Sequence, residues 1–325
     1  MQLRTLSLAA SAAAILSLAA VAVSTPTPAQ AQAPVFINVL TGGTAGVYYP
    51  LGTALSTIYN QAIPNVKATV QSTKGSVENL NLLAARRGEI AFALGDSVAN
   101  AYKGNAEVGF PKPLTMLRAI GATYGNYIQI VANADAGVKS IADLKGKRIS
   151  VGAPKSGTEL NARAIFEAAG LTYKDFSKVE YLPFGESVEL IKNRQLDATL
   201  QSAGLGVASI RDLASAIKIT VVPIPADVVK KVGDPAYQPA IIPAKTYEGQ
   251  TADVPAAVIS NILVTHDKVS DELAYQMTKS LFTNLDKMVA AHKAASAIGL
   301  KDATTVPIPL HPGAEKYYKE VGALK

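Results

Sequence analysis

Cysteine is absent from the 325 residues. Its absence excludes thiol nucleophiles, disulfide bridges and cysteine-held metal sites. Histidine is scarce: His266, His292 and His311 lie far apart, with no HExxH and no local ligand spacing. No metal site is expected from them. Charged residues make up only 17% of the chain, and its net charge of +6 is scattered rather than gathered in a Lys/Arg block, so no nucleic-acid footprint is expected. No GxSxG and no triad order around a distinctive serine is present. The glycines at 42, 43 and 46 do not make GxGxxG, and the Gly146-Lys147 pair lacks the glycine five residues earlier that a phosphate loop requires. The expectation is therefore a protein that is not an enzyme, with no cofactor and no catalytic residues.

Long apolar runs are missing as well, apart from the N-terminus. Arg4 precedes an uncharged Ala/Leu/Ser stretch from Leu6 to Val23, and "PAQAQAP" offers small residues for cleavage. This reads as a secretory signal peptide over residues 1–31, cut after Ala31. Nothing later is long and apolar enough to span a bilayer. The expected location is the periplasm, reached through a cleavable signal peptide.

At 49% hydrophobic, the rest of the chain is neither disordered nor short of core material. Strand patterns alternate with helix patterns: "VFINVL", "KATVQST" and "IAFALG" as strands, "YPLGTALSTIYNQA" and "SVENLNLLAARRG" as helices, the second closed by Gly88. "LTMLRAIGATYGNYIQIVAN" reads as two extended runs broken at Gly125-Asn126. A second alternating set follows, with a capping signal at Ser140 and a helix ending at Gly170. Residues 223–251 read as irregular, and "SDELAYQMTKSLFTNLDKMVAAH" as one long amphipathic helix. Such alternation predicts an α/β protein with mainly parallel sheets. A late extended run, "AAVISNILVTH", suggests that the chain crosses back. The predicted organisation is two lobes joined by two crossing segments, residues 32–125 plus 252–325 and residues 126–251, with a cleft between them.

Three strand-to-helix turns share one pattern: "TGGTAG", then "STKGSVEN" with Gly75 and Ser76, then "APKSGTELN" with Ser156, Gly157 and Thr158. Each joins a hydroxyl, a glycine and free first-turn N–H groups, the arrangement that receives an anion. Ligands of open α/β sheets bind where such turns cluster. Helix capping accounts for the same residues without any ligand. Asp96, at the end of a buried strand, either faces the cleft or caps the next turn. Tyr48 and Tyr49 either wall the site or belong to the core.

"TGGTAGVYYPLG", "QSTKGSVENLNLLAARRGEIAFALGDSVANAY" and "SGTELNAR" followed by "LDATLQSAG" resemble the TAXI class of TRAP transporter solute-binding proteins, over about residues 35–320. The resemblance implies the type II periplasmic binding protein fold and a small organic anion such as glutamate, glutamine, 2-oxoglutarate or another dicarboxylate. It also implies delivery to TRAP permease membrane subunits, by a monomer. It assigns Gly43, Thr44, Gly46 and Tyr48 to the first ligand-approaching loop, and Thr73, Ser76, Val77 and Asn79 to the second. Asp96 falls at the strand end, and Ser156, Gly157, Thr158 and Glu159 in the opposing lobe. Lys74 and Gln201 depart from the family pattern and add an ammonium and an amide beside the cleft. A periplasmic sensor handing the same ligand to a kinase is the alternative reading.

Overall fold

A computed structural model describes residues 33–325, so the expected leader lies outside the described residues. The chain runs β1 (Val35–Leu40), α1 (Tyr48–Ala62), β2 (Val66–Gln71), α2 (Ser76–Ala84), β3 (Ile90–Leu94), α3 (Gly95–Lys103) and β4 (Leu117–Asn133). It continues through β5 (Arg148–Ser150), α4 (Gly157–Ala168), β6 (Lys178–Glu180), α5 (Phe184–Lys192), β7 (Ala198–Ala203), α6 (Ala208–Ala216) and β8 (Ile219–Val222). The remaining elements are α7 (Ala226–Lys231), β9 (Gln238–Ile242), β10 (Val254–His266), α8 (Asp271–Phe282), α9 (Leu285–Ala291) and α10 (Pro312–Glu320).

One sheet holds the strands of the described residues, in the order β2-β1-β3-β10-β4-β7-β5-β6, with β8 on β4 and β9 on β10. Its two ends are parallel, β2-β1-β3 and β7-β5-β6, as strand–helix alternation demands. Its centre is antiparallel, because β4 runs outward and β10 runs back beside it. The sheet is thus mixed rather than mainly parallel. β10 meets β3 through Asn261–Val264 and β9 through Val254–Val258, while β4 meets β7 through Tyr127–Ala132. The long central pair therefore carries the sheet from one half to the other.

The expected break at Gly125-Asn126 is a β-bulge inside a continuous strand. Gly125 pairs with Ser260 and Ala122 with Ile262, so Thr123 and Tyr124 face the single residue Asn261. Asn261 is fully buried and closes the gap with its side chain: Nδ2 donates to the Tyr124 carbonyl at 3.0 Å, and the Thr123 hydroxyl donates to the Asn261 carbonyl at 3.1 Å.

Apolar residues fill both faces. One core runs the length of one side, from Leu51, Leu55 and Ile58 on α1 to Ile210 and Leu213 on α6. The other side carries two separate cores, one under α2 and α3 with Leu80, Leu83 and Val98, the other under α4 with Ile165 and Phe166. β3 is buried at every position, as an unbroken apolar run covered on both faces should be.

Other local expectations are revised by polar side chains. The long C-terminal helix breaks between α8 and α9, where Thr283 Oγ1 and Asn284 Nδ2 donate back to the carbonyls of Lys279 and Ser280. Residues 223–251 contain α7 and β9. The Ser140 signal caps a short 3₁₀ turn, Ile141–Leu144, rather than an α-helix. Gly170 does close its helix at φ +81°. Gly88 does not: Arg86 adopts the left-handed turn at φ +59°. Gly88 is instead needed for space, since a Cβ there would lie 2.7 Å from Leu40 Cγ and Cδ1. Gly88→Ala should therefore lower the unfolding free energy by about 1–3 kcal/mol, measured by urea denaturation.

Candidate functional site

A cavity of about 320 Å³ lies between the two halves of the sheet. The first half contributes the loop Gly42–Gly46 with Val47 and Tyr48, the turn Ser72–Ser76, and Leu94. The second half contributes Ala153, Ser156, Gly157 and Thr158, the Pro183-Phe184 turn with Glu186, and Ser202 and Ala203. Tyr124 and Asn126 border it from β4, the strand that joins the halves.

Two helix starts face each other across this space. A Cβ on Gly157 would sit 2.7 Å from Ser76 Oγ and 2.6 Å from Leu94 Cδ1. The first two N–H groups of any α-helix lack an intrahelical acceptor; here they belong to Ser76 and Val77 of α2 and to Gly157 and Thr158 of α4. The third is taken in both: Glu78 N donates to the Lys155 carbonyl at 3.2 Å, bridging the halves, and Glu159 N donates to Ser156 Oγ at 3.1 Å. Two positive helix ends thus point at one small volume. The glycine loop closes another side: Gly46 N donates to the Gly43 carbonyl at 3.0 Å, and Ser209 N of the second half donates to the Ala45 carbonyl at 3.3 Å. Lys74 and Glu186 stand exposed at the mouth and bring one charge of each sign.

A family profile described as the NMT1-like family matches residues 39–322, a span that includes every wall of this cavity. The chain belongs to the NMT1-like family. Solved structures agree on the fold. PhnD1 from Prochlorococcus marinus (MIT 9301), solved in complex with methylphosphonate, superposes at a TM-score of 0.56 with 12% identity, over 89% of this chain and 99% of that one. A protein of Bordetella bronchiseptica RB50 gives 0.53 with 16% identity over 89% of both chains. A binding protein component of an ABC phosphonate transporter from Pseudomonas aeruginosa gives 0.53 with 11% identity, over 81% of this chain and 79% of that one. The architecture of this NMT1-like protein is therefore the α/β fold of the periplasmic binding proteins.

Ten of the fifteen candidate residues border the cavity: Gly43, Thr44, Gly46, Tyr48, Thr73, Lys74, Ser76, Ser156, Gly157 and Thr158. Five stand behind its wall. Val77 contributes its backbone N–H but buries its side chain in the α2 core. Asn79 is a strut, donating to the carbonyls of Thr41 at 2.6 Å and Phe92 at 2.9 Å while its Oδ1 lies 2.7 Å from the Thr73 hydroxyl. Glu159 turns away to Arg163 at 2.7 Å and to the Tyr173 hydroxyl. Gln201 is fully buried against Ser209, 2.6 Å away, and its Nε2 has no partner. Tyr48 borders the cavity with its ring, stacked on Phe92, but its hydroxyl is spent on Asn261 Oδ1 at 2.5 Å.

Asp96 joins the halves rather than facing the cavity. It is 3% exposed, and its Oδ2 accepts from Asn161 Nδ2 at 2.8 Å and from the Tyr237 hydroxyl at 2.9 Å, while Oδ1 accepts from Ser97 N at 2.6 Å. Asn161 in turn accepts from Ser202 Oγ, a cavity wall, at 2.8 Å. Burial pushes the Asp96 carboxyl up to about 6, against the lowering effect of these hydrogen bonds.

The residues missed from the sequence fall into two kinds. Pro183 and Phe184 open α5 after β6, a strand-to-helix turn like the other three, and were legible by the same logic. Tyr124 and Asn126 lie inside a strand, where no local signal marks them. Among the described residues, no group of three or more His, Asp or Glu is placed to hold a metal ion.

With the folded value near 6 and the ordinary value at 3.8, folded Asp96 keeps its proton where unfolded Asp96 has lost it. Its contribution to stability is thus present at low pH and lost as pH rises through that window. Wild type relative to Asp96→Asn should gain roughly 2–3 kcal/mol between neutral pH and about pH 4. Urea unfolding across pH checks this; a constant difference would show that the carboxyl titrates normally.

Proposed function

We propose that this chain is a solute-binding protein that captures a small organic anion between two lobes, residues 32–125 plus 252–325 and residues 126–251, and hands it to a membrane permease without altering it. The observation that carries the reading is the pair of opposed helix starts, whose four N–H groups find no acceptor within their helices. A negative group on one helix end gains about 0.3–2 kcal/mol. Each hydrogen bond to a charged group adds about 1.5–3 kcal/mol. Micromolar binding needs about 8 kcal/mol, which one helix start with two such bonds reaches only at the top of its range and which falls within the range of two.

The finer reading is a TRAP transporter of the TAXI class, with export to the periplasm by residues 1–31 and glutamate, 2-oxoglutarate or a dicarboxylate as ligand. It is supported by the quoted segments "TGGTAGVYYPLG", "STKGSVEN" and "SGTELNAR", which all border the cavity. The P. marinus and P. aeruginosa proteins favour a second ligand class for the same helix ends, a phosphonate.

The chain from Gln32 onward, unfolded and refolded to free it of carried ligand, should melt higher with one of these anions and not with sugars. A ligand at about 100 times its Kd adds about 2.7 kcal/mol. A response to dicarboxylates or 2-oxoglutarate supports the TAXI reading, and one to methylphosphonate alone the other. Gly157→Val should weaken the responding anion more than about tenfold and lower stability as well, because its Cβ enters the gap 2.6 Å from Leu94 Cδ1 and 2.7 Å from Ser76 Oγ; circular dichroism checks that the variant tested for binding is folded. Unchanged affinity in that variant would remove the helix ends from the site.

A further inference from the structure

Most polar side chains around the cavity are already engaged. Tyr48 donates to Asn261, Ser202 to Asn161, Ser76 Oγ accepts from Leu94 N at 3.0 Å, and Ser156 caps α4. Two on β4 are not. Tyr124 is 2% exposed, borders the cavity, and has no hydrogen-bond partner for its hydroxyl. Asn126, also 2% exposed, borders the same cavity, and its amide has no side-chain partner among the described residues. Both flank the bulge that Asn261 holds shut. Burial raises the Tyr124 phenol far above its ordinary range, with Tyr48 adding to the effect, so the group stays a hydrogen-bond donor.

A buried hydroxyl or amide without a partner is costly. The halves leave one such group, the Tyr124 hydroxyl, in a residue that borders the cavity, with Asn126 beside it and with helix N–H groups offered to a charge from the other wall.

We propose that Tyr124 and Asn126 are the specificity pair of the cavity: they take a second, oxygen-bearing group of an anion whose charged end rests on the starts of α2 and α4. The ligand is then a carboxylate carrying a further carbonyl, hydroxyl or carboxylate oxygen, and a plain aliphatic acid is rejected because it leaves the pair unpaired. Because the pair sits on the crossing strand, this contact is also made directly to the segment that joins the halves. The inference rests on the anion-site reading above.

The test uses pentanoate, 2-oxopentanoate and glutarate with the refolded chain, Kd being measured by calorimetry. Wild type should bind at least one of the two oxygenated acids more than about tenfold tighter than pentanoate. Tyr124→Phe and Asn126→Ala should each bring that ratio down by about tenfold while the pentanoate Kd stays put. An unchanged ratio in both variants, or a wild type that does not discriminate, overturns the pair and leaves the anion site standing. Binding of none of the three acids overturns the pair, and binding of neither these acids nor methylphosphonate overturns the anion site as well. A second measurement needs no ligand: free Tyr124→Phe should melt at or above wild type. A clear fall would give the hydroxyl a partner inside the protein and overturn its assignment to a ligand.

Discussion

Two helix ends of the same polarity are brought to face each other across one small cavity. Partial positive charges in that arrangement repel, and the N–H groups behind them lose water as the halves approach. The contacts that hold them there are made elsewhere. Glu78 N reaches the Lys155 carbonyl, and Ser209 N reaches the Ala45 carbonyl. Asp96 collects Asn161 and Tyr237 from the opposite half. The cavity is therefore flanked by positive helix ends held in place by hydrogen bonds outside it, and this is the ground for the negative solute proposed above.

Much of the surrounding structure serves that geometry. The antiparallel pair of β4 and β10 gives both halves one continuous backbone, so their relation is set by strand register rather than by a slack linker. The bulge opposite Asn261 is where that register changes. Asn261 reaches from the bulge to Tyr48, which ties the glycine loop to the crossing strands. Asn79 and Thr73 tie the same loop to the second turn. Asp96 is an expensive way to join two halves, since its carboxylate is buried. Its partners connect to Ser202, so the junction borders the cavity wall through Asn161.

Strand–helix alternation, the glycine-rich loop and the first-turn hydroxyls were legible because each is a local property: a hydrophobic period, a glycine, a cap. The same locality explains the errors. Gly88 looked like a cap and is a packing residue, because Leu40 belongs to another strand. The sequence leaves Asp96 between facing the cleft and capping a turn, and the resemblance alone places Glu159 at the site; Asp96 turns to Tyr237, which only the fold brings near, and Glu159 to Arg163 on its own helix. Tyr48 was read as a possible wall, and its ring is one, but its hydroxyl belongs to a residue far along the chain.

By itself the sequence determined the α/β class, the lack of any thiol, and the three turns that present backbone N–H groups. These depend on neighbours within a few positions. Only the tertiary structure decided that the turns meet at one cavity, that the sheet is antiparallel at its centre, and that the Tyr124 hydroxyl at that cavity is left without a partner. Those outcomes depend on strand order and register, which join residues more than a hundred positions apart, and no local pattern encodes which polar groups are left over once all the others have been paired.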